Sequence, residues 1–295
     1  MKKLTLIFFP LAVILTAVIT WFASLYVFER PAFDDSVQQQ TILSTVLSEQ
    51  RQYLVHLPES YERAPTRRYP VIYVLDGSSQ DVHTAASAAL MARIGVTPEV
   101  IVVGIPNISG KGRQRDYTPP GMLQDLDDKD SDKGHADKFL AFVRDELIPK
   151  IEKNYRTSSK RILAGNSRGG LFVVYALSAD PSLFNAYFAN SPALWRNDGE
   201  MVKRFDHFLQ QNSVPKSSLF LSLGSSENDK MKDAFRGVID ALQNHAPSTL
   251  RWHAQLTQGA RHDDNAEIAT PVALKWAFDP QWTPAVVTAS SKSEP

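Results

Sequence analysis

Two runs in the first half of the chain are almost entirely apolar. Residues 69–77 (YPVIYVLDG) and 96–106 (VTPEVIVVGIP) are rich in β-branched side chains. A continuous apolar run of this length predicts a strand that is buried on both faces. Residues 81–94, between the two runs, have a helical pattern. Upstream, residues 41–48 and 51–57 alternate apolar and polar positions, which predicts a pair of antiparallel strands.

Strand and helix alternate through the rest of the chain. Residues 136–155 have apolar side chains at helical spacing, and we expect Pro149 to kink this helix or to end its regular part. A strand at 161–165 is followed directly by a helix at 169–179. Later segments follow the same pattern, with strands at 184–190, 218–224 and 250–256 and helices at 200–211 and 229–245. This order predicts an α/β fold with an open, mostly parallel central sheet and helices on both faces.

The remaining segments suggest how the chain divides into regions. We expect one α/β domain over residues 41–282, preceded by a polar linker at 31–40 and followed by a small, polar, disordered tail at 283–295. Residues 107–134, rich in Gly, Asp, Lys and Pro, are predicted to be irregular.

Residues 1–30 have the features of a membrane anchor or a signal sequence. Residues 4–28 carry no charge and, as a helix, exceed the roughly 30 Å hydrocarbon core of a bilayer. A cleaved signal has a shorter apolar region and a small-x-small cleavage site, for which the chain offers only a poor match. We therefore expect an uncleaved helix in the cytoplasmic membrane, with the domain on the extracytoplasmic (periplasmic) side because Lys2 and Lys3 precede the span. Cleavage to a secreted or periplasmic protein is the alternative.

Composition narrows the function classes. The 32 basic and 32 acidic side chains balance, so nothing favours nucleic acid as a partner. There is no cysteine, which excludes disulfides, thiolate metal sites and a cysteine nucleophile. No metal or organic cofactor is implied, and the sequence does not indicate an oligomeric state.

The strongest chemical signal is Gly165-Asn166-Ser167-Arg168-Gly169, between a predicted buried strand and a helix. A serine on such a strand-to-helix turn has a strained backbone and an exposed hydroxyl, as a nucleophile requires. The same turn places the amide of Arg168 and the start of the helix where they can stabilise an oxyanion. The other interpretation is an ordinary turn serine between packing glycines.

A serine nucleophile needs a base and an acid, which in this arrangement follow it along the chain in the order acid, histidine. Glu227 is the first carboxylate after the strand at 218–224, and Asp229 is the alternative acid, although it also suits the first turn of the next helix. His262 lies in the loop after the last strand and is the predicted base. His253, within that strand, is the alternative. A second oxyanion donor is expected after the strand at 69–77, where we choose the amide of Ser78.

Together these stretches resemble the esterase D-type family of α/β-hydrolases, whose members include siderophore-ester hydrolases, feruloyl esterases and mycolyltransferases. The resemblance covers about residues 40–280. It rests on YPVIYVLDG, VIVVGIPN, RQRDYTPP, KFLAFVRDELIPKIEKNYRT, AGNSRGGLFVVYALSADPSLFNAYFANSPALW and GARHDD. It implies an α/β-hydrolase fold in which the family's catalytic roles fall on the residues already chosen, namely Ser167, His262, Glu227, Ser78 and Arg168. Many members have histidine where this chain has Asn166 and an apolar residue where it has Arg168.

The expected function is hydrolysis of a small-molecule carboxylic ester through an acyl-enzyme. Within the loop 111–120, Arg113, Arg115 and Tyr117 are predicted to line the cleft and meet an anionic or polyhydroxylated substrate, or else to form a solvated basic loop. Two rivals remain: an acyltransferase with the same triad, and a catalytically inactive, membrane-tethered binding protein.

Overall fold

The computed structural model describes residues 37–211 and 214–282. The predictions for the N-terminal anchor and for the C-terminal tail therefore lie outside the described residues. Within the described part of the chain, no helix is both long and apolar enough to cross a bilayer.

An eight-stranded sheet organises the fold, with the strand order β1-β2-β4-β3-β5-β6-β7-β8. The strands are β1 (Val37–Ser44), β2 (Glu49–His56), β3 (Tyr69–Leu75), β4 (Ile101–Ile105), β5 (Thr157–Asn166), β6 (Ala186–Asn190), β7 (Ser217–Gly224) and β8 (Leu250–Thr257). From β4 to β8 every neighbouring pair is parallel, whereas β2 runs antiparallel to β4. This is the mostly parallel sheet that the alternation of strand and helix predicted.

Helices connect these strands. They are α1 (Gln80–Arg93), α2 (Gly110–Tyr117), α3 (Ala136–Phe142), α4 (Ile148–Asn154), α5 (Arg168–Ala179), α6 (Arg196–Gln211), α7 (Asp229–His245) and α8 (Asn265–Phe278). A π-helical turn, Val143–Leu147, joins α3 to α4 directly before Pro149. Proline has no N–H to donate and its ring crowds the preceding turn, so the interruption of regular helix occurs where the sequence predicted it.

The sheet buries both faces, as its continuous apolar strands require. Alternate side chains of one strand point to opposite layers: Tyr73 and Leu163 belong to one apolar cluster, Ile72 and Ile162 to the other. Helices α2 to α7 cover the first layer, and α1 and α8 cover the second. The carboxyl ends of the parallel strands therefore lie along a single edge of the sheet, where ligands of α/β proteins bind.

Two sequence predictions need correction. Residues 110–117, expected to be irregular, form helix α2, whose start is capped by the Ser109 hydroxyl accepting from the Gly112 amide at 3.0 Å. The polar sequence GKGRQRDY has no apolar stripe that would have revealed it. The first strand begins at Val37 rather than near residue 41, because β1 is mostly exposed and its polar residues resemble a linker.

Candidate active site

Ser167 lies on the tight turn between β5 and α5. Its backbone has φ +58° and ψ −117°, a left-handed conformation that a serine rarely adopts. The turn is held by three backbone hydrogen bonds, one from the Ser167 amide to Asn190 and two from the amides of Leu171 and Ala193 to the Ser167 carbonyl. A Cβ atom at position 165 would lie 2.6 Å from the backbone of Gly169, so the close approach of strand and helix requires glycine.

His262 joins the serine to a buried carboxylate. Its Nε2 lies 2.9 Å from the Ser167 hydroxyl oxygen, and its Nδ1 lies 2.8 Å from Oε2 of Glu227. The Glu227 side chain is 1% exposed, whereas that of His262 is 45% exposed. The structure therefore brings the predicted nucleophile, base and first-choice acid together in a single chain of hydrogen bonds.

The alternative residues occupy other environments. Asp229 is the first residue of α7 and is exposed, as a first-turn carboxylate should be. His253 is 6% exposed, and its ring centroid lies 5.5 Å from that of Phe220 and 6.3 Å from that of Trp276. Burial, with Arg251 nearby, lowers the pKa of His253 and favours its neutral form. His253 thus packs against the second apolar cluster, in the layer that contains Phe220 and Trp276.

The other oxygen of the Glu227 carboxylate is held from behind. Oε1 accepts from the Ser191 hydroxyl at 2.5 Å and from the Gly224 amide at 2.9 Å. The Asn265 side-chain amide in turn donates to the Ser191 hydroxyl at 2.9 Å. Burial alone would raise the pKa of Glu227, but the hydrogen bonds from His262, Ser191 and Gly224 outweigh burial and hold the pKa below its ordinary value. Glu227 is therefore kept ionised beside the imidazole.

The two predicted oxyanion amides differ in availability. Arg168 is the first residue of α5, so its N–H has no acceptor within the helix and stands at the positive end of the helix dipole. The amide of Ser78 instead donates to Oδ1 of Asp81 at 2.8 Å. Ser78 has φ +81°, and this turn places its amide at the start of α1, where Asp81 accepts it. The choice of the Ser78 amide as the second oxyanion donor therefore needs correction, because that amide already has an acceptor.

The three residues predicted to contact substrate also lie in different surroundings. Arg113 lines the cleft at Ser167 and is held by Asp76, with Nε 2.6 Å from Oδ1 and Nη2 2.9 Å from Oδ2. Arg115 instead pairs with Glu49 and with its neighbour on α2, Asp116. Tyr117 is fully buried, and its hydroxyl accepts from the Asp76 amide at 3.1 Å. The prediction that all three line the cleft is wrong for Arg115 and Tyr117. Arg115 lies two positions from Arg113 and so faces a different side of the helix. Tyr117 shares the side of Arg113 but is buried beneath it, with the guanidinium carbon 5.6 Å from the ring centroid.

The cleft above the serine has a volume of about 570 Å³, within the usual range of small-molecule sites. It is lined by Arg113, Ser167, Arg168, Ala193, Trp195, Arg196, Ser226, Glu227, Asn228, Met231, Arg261, His262 and Asp263. No group of carboxylates, histidines or cysteines in the described part of the chain has the geometry of a metal site.

Sequence reasoning missed Ser191, Asn265 and Arg196. Ser191 follows β6 directly and has φ +42°, a backbone conformation that the local sequence does not indicate. A serine at the carboxyl end of a predicted central strand was the available signal, since the ends of parallel strands meet at the ligand-binding edge. Asn265 begins α8, where a polar residue is ordinary. Arg196 is followed by three residues with positive φ, 197–199, before the regular part of α6, and no sequence pattern indicates that turn.

Comparisons with known proteins agree on one family. Residues 44–276 match the family model described as "Putative esterase". The chain is 29% identical over 252 residues to the ferri-bacillibactin esterase BesA of Bacillus subtilis, covering 79% of this chain and 87% of that protein. It is 29% identical over 234 residues to the siderophore triacetylfusarinine C esterase of Aspergillus fumigatus, covering 72% of this chain and 74% of that protein. The structure of an IroE-like serine hydrolase from Shewanella oneidensis superposes with a TM-score of 0.75 at 30% identity, covering 82% of this chain and 80% of that one.

Proposed function

This chain belongs to the esterase family whose model it matches, and from that premise we propose that it is a serine esterase acting through Ser167, His262 and Glu227. The observation that carries the proposal is the unbroken hydrogen-bond chain from the serine hydroxyl through both imidazole nitrogens to a buried carboxylate. A weak nucleophile becomes effective when a base lies within hydrogen-bond reach and a third group orients that base.

In the acylation step, the Ser167 hydroxyl oxygen attacks the ester carbonyl while Nε2 of His262 takes its proton. A bond forms between the serine oxygen and the carbonyl carbon, and the carbonyl oxygen becomes an oxyanion. The amide of Arg168, at the start of α5, is directed at that oxyanion and is reinforced by the helix dipole. The tetrahedral intermediate then expels the alcohol, which takes the proton from Nε2.

Glu227 has two tasks in this scheme. By accepting from Nδ1 it keeps the proton on that nitrogen, so that Nε2 has a free lone pair facing the serine. When His262 becomes positively charged, the adjacent carboxylate stabilises the imidazolium. The low pKa of Glu227 suits both tasks, because the carboxylate stays ionised while the imidazole gains and loses its proton.

Deacylation repeats the chemistry with water. His262 takes a proton from a water molecule, the resulting nucleophile attacks the acyl-enzyme, and Ser167 leaves with the proton returned by Nε2. The released products are a carboxylic acid and the regenerated enzyme. With an alcohol in place of water, the same machinery would transfer the acyl group, so the acceptor separates a hydrolase from a transferase.

For the substrate we propose an ester of the siderophore class. Two relatives that cover more than two thirds of this chain are named as siderophore esterases, of bacillibactin and of triacetylfusarinine C. In the cleft of about 570 Å³, Trp195 and Met231 supply apolar surface. We place the reaction outside the cytoplasmic membrane, on the basis of the uncharged run at 4–28.

The test is hydrolysis by the purified full-length protein of short-chain aryl esters and of siderophore triesters with and without iron. We expect the wild type to release carboxylic acid from at least one siderophore ester and Ser167→Ala to release none. His253→Ala is the matched control for loss of a nearby histidine and should remain active. An added alcohol acceptor should not divert the acyl group. Activity that survives in Ser167→Ala would contradict the proposal.

A further inference from the structure

Two arginines of the cleft, Arg168 and Arg196, carry charges that no carboxylate neutralises by direct contact. Four arginines line the cleft in all. Arg113 is paired with Asp76 at 2.6 Å, and Arg261 is paired with Asp263 at 3.3 Å. Among the residues that the structure describes, neither Arg168 nor Arg196 forms an ion pair.

Neutral oxygens hold both guanidinium groups in place. Nη1 of Arg168 donates to the Thr118 hydroxyl at 2.8 Å and to the Gln124 carbonyl at 2.9 Å. Nη2 of Arg196 donates to the same Gln124 carbonyl, also at 2.9 Å. A shared acceptor fixes the two cations next to each other, at one wall of the cleft. Both side chains are thus positioned without being neutralised.

Both groups keep donors that the protein does not use. A guanidinium has five N–H groups in a planar fork, and the bonds described above occupy only part of each fork. Nε of Arg196 is buried and has no hydrogen-bond partner in the described residues, and the whole residue is only 8% exposed. A buried charged donor without a partner is unfavourable unless a ligand supplies the acceptor.

The electrostatics agree with this geometry. Burial, together with the charges of Arg196 and Arg113, lowers the pKa of Arg168 to about 10, so it stays protonated at neutral pH. Burial also lowers the pKa of Arg196. Asp125 lies close enough to favour both charges, and Asp127 favours that of Arg196, but among the described residues neither carboxylate forms an ion pair with either arginine. The uncompensated charge in this wall of the cleft is therefore positive.

We propose that Arg168 and Arg196 form an anion subsite that takes a carboxylate group of the ester substrate. Planar guanidinium groups bind the two oxygens of a carboxylate in parallel, which gives both affinity and orientation. This inference rests on the proposed function, since Arg168 directly follows the nucleophile Ser167 in the chain. Its backbone amide serves the oxyanion of the reacting ester, while its side chain holds a second, permanent charge on the same molecule.

Matched pairs of esters test the subsite in the full-length protein. One pair places the charge on the acyl side (mono-p-nitrophenyl adipate against p-nitrophenyl hexanoate). The other places it on the alcohol side (4-acetoxybenzoate against its methyl ester). Each kcat/KM is divided by the rate of spontaneous hydroxide hydrolysis, which removes intrinsic differences in reactivity. We expect the wild type to prefer the anionic member of at least one pair, and salt to weaken that preference.

Arg168→Gln and Arg196→Gln should each lower the preference by about 10-fold or more, the usual effect of losing a charged hydrogen bond. Arg204→Gln is the matched control. Residues 118–124 hold the acceptors of Arg168 and Arg196, and Arg204 also donates to a carbonyl of this segment, that of Pro120, at 2.8 Å. Unlike those two arginines, Arg204 pairs with Glu200 and does not line the cleft. Its variant should keep the wild-type preference.

Three outcomes would overturn the subsite while leaving the proposed function intact. A wild type that hydrolyses both members of both pairs equally well has no anion preference. Preference that survives in both arginine variants is produced elsewhere, and equal loss in Arg204→Gln would mean that the segment's structure, not its charge, is responsible. Hydrolysis of none of the four esters would instead overturn the proposed function, and the subsite with it. Because the two variants lie in different elements of the fold, failure of one to fold leaves the other as the test.

Discussion

Replacing Glu227 by glutamine tests how the carboxylate orients His262. The two side chains have nearly the same shape, but a carboxylate accepts at both ends and an amide at only one. In the wild type all three neighbours donate: Ser191 and Gly224 to Oε1, at 2.5 and 2.9 Å, and His262 to Oε2, at 2.8 Å. Glutamine can satisfy only one of these two sides.

The favoured orientation follows from the number of donors. With its oxygen toward Ser191 and Gly224, the glutamine keeps two hydrogen bonds and turns its NH2 toward Nδ1 of His262. That nitrogen must then accept, so the proton moves to Nε2, which can no longer accept from Ser167. The opposite orientation leaves the fixed Gly224 amide facing an NH2 group, at about 1–3 kcal/mol, even if the Ser191 hydroxyl turns to accept from that group. The wrong tautomer should lower kcat by about 10⁴-fold, as for a triad acid replaced by its amide.

The assay compares Glu227→Gln with Asp229→Asn, which removes the same charge two residues later. Asp229 is exposed at the start of α7, so its loss should cost only about 0.3–1 kcal/mol of helix stabilisation and leave kcat near the wild-type value. Ester hydrolysis is measured at neutral pH, and urea unfolding verifies that both variants are folded. A Glu227→Gln variant within tenfold of wild type, or a larger loss in Asp229→Asn, would refute the reasoning.

Three further predictions concern the base, the support of the acid and the N-terminus. His262→Ala should remove nearly all turnover while thermal stability stays at the wild-type value. His253→Ala should keep turnover but lower the free energy of unfolding by about 2–4 kcal/mol, because a buried ring is lost. The reverse result in kinetics and urea unfolding would move the base to His253. Because the pKa of Glu227 is lowered in the folded protein, its ionised form stabilises the fold above the unfolded-state pKa and that contribution is lost as pH falls through the folded-state pKa. Ser191→Ala removes one of these hydrogen bonds, so it should cost about 1.5–3 kcal/mol at pH 7 and progressively less in acid, and a pH-independent cost in urea unfolding would contradict this. N-terminal sequencing of the membrane fraction should find residues 4–28 retained, and a protein that begins just after them would contradict the anchor.

The central strands could be predicted because their burial leaves a direct mark on the sequence. β3 and the strand-to-helix turn at Ser167 were both recognisable from one sequence, since a strand buried on two faces must be apolar and a strained turn needs glycine. The order serine, acid, histidine then selected Glu227 and His262 from the loops after β7 and β8. These are features in which local sequence and global fold agree.

The features that sequence could not provide depend on contacts between distant segments. Helix α2 has no apolar stripe, because its buried positions include the charged Asp116, which pairs with Arg51 on β2 at 2.6 Å. The sequence therefore places Arg115 and Tyr117 in the same predicted loop as Arg113, with no pattern that separates their directions. The amide of Ser78 finds its acceptor, Asp81, in the first turn of the next helix. Such partnerships are set by the folded geometry and leave no periodic pattern.

The support behind Glu227 is the clearest example. Ser191, Asn265 and Glu227 are separated by 36 to 74 residues along the chain, yet they share hydrogen bonds of 2.5 to 2.9 Å. Each follows a different strand of the parallel sheet, or begins the helix after it, and the carboxyl ends of those strands bring them together. Knowing the strand order is thus a precondition for finding the residues that position the acid.

Labelling by an active-site-directed fluorophosphonate tests the central claim, that Ser167 is the nucleophile of an esterase. The reagent forms a bond between its phosphorus and an activated serine oxygen, with fluoride leaving, so the site can be read by mass spectrometry of the digested protein. The account predicts one adduct on the peptide that contains Ser167, no adduct in Ser167→Ala, and greatly slowed labelling in His262→Ala. An adduct on another serine, or none on the folded wild-type protein, would contradict it.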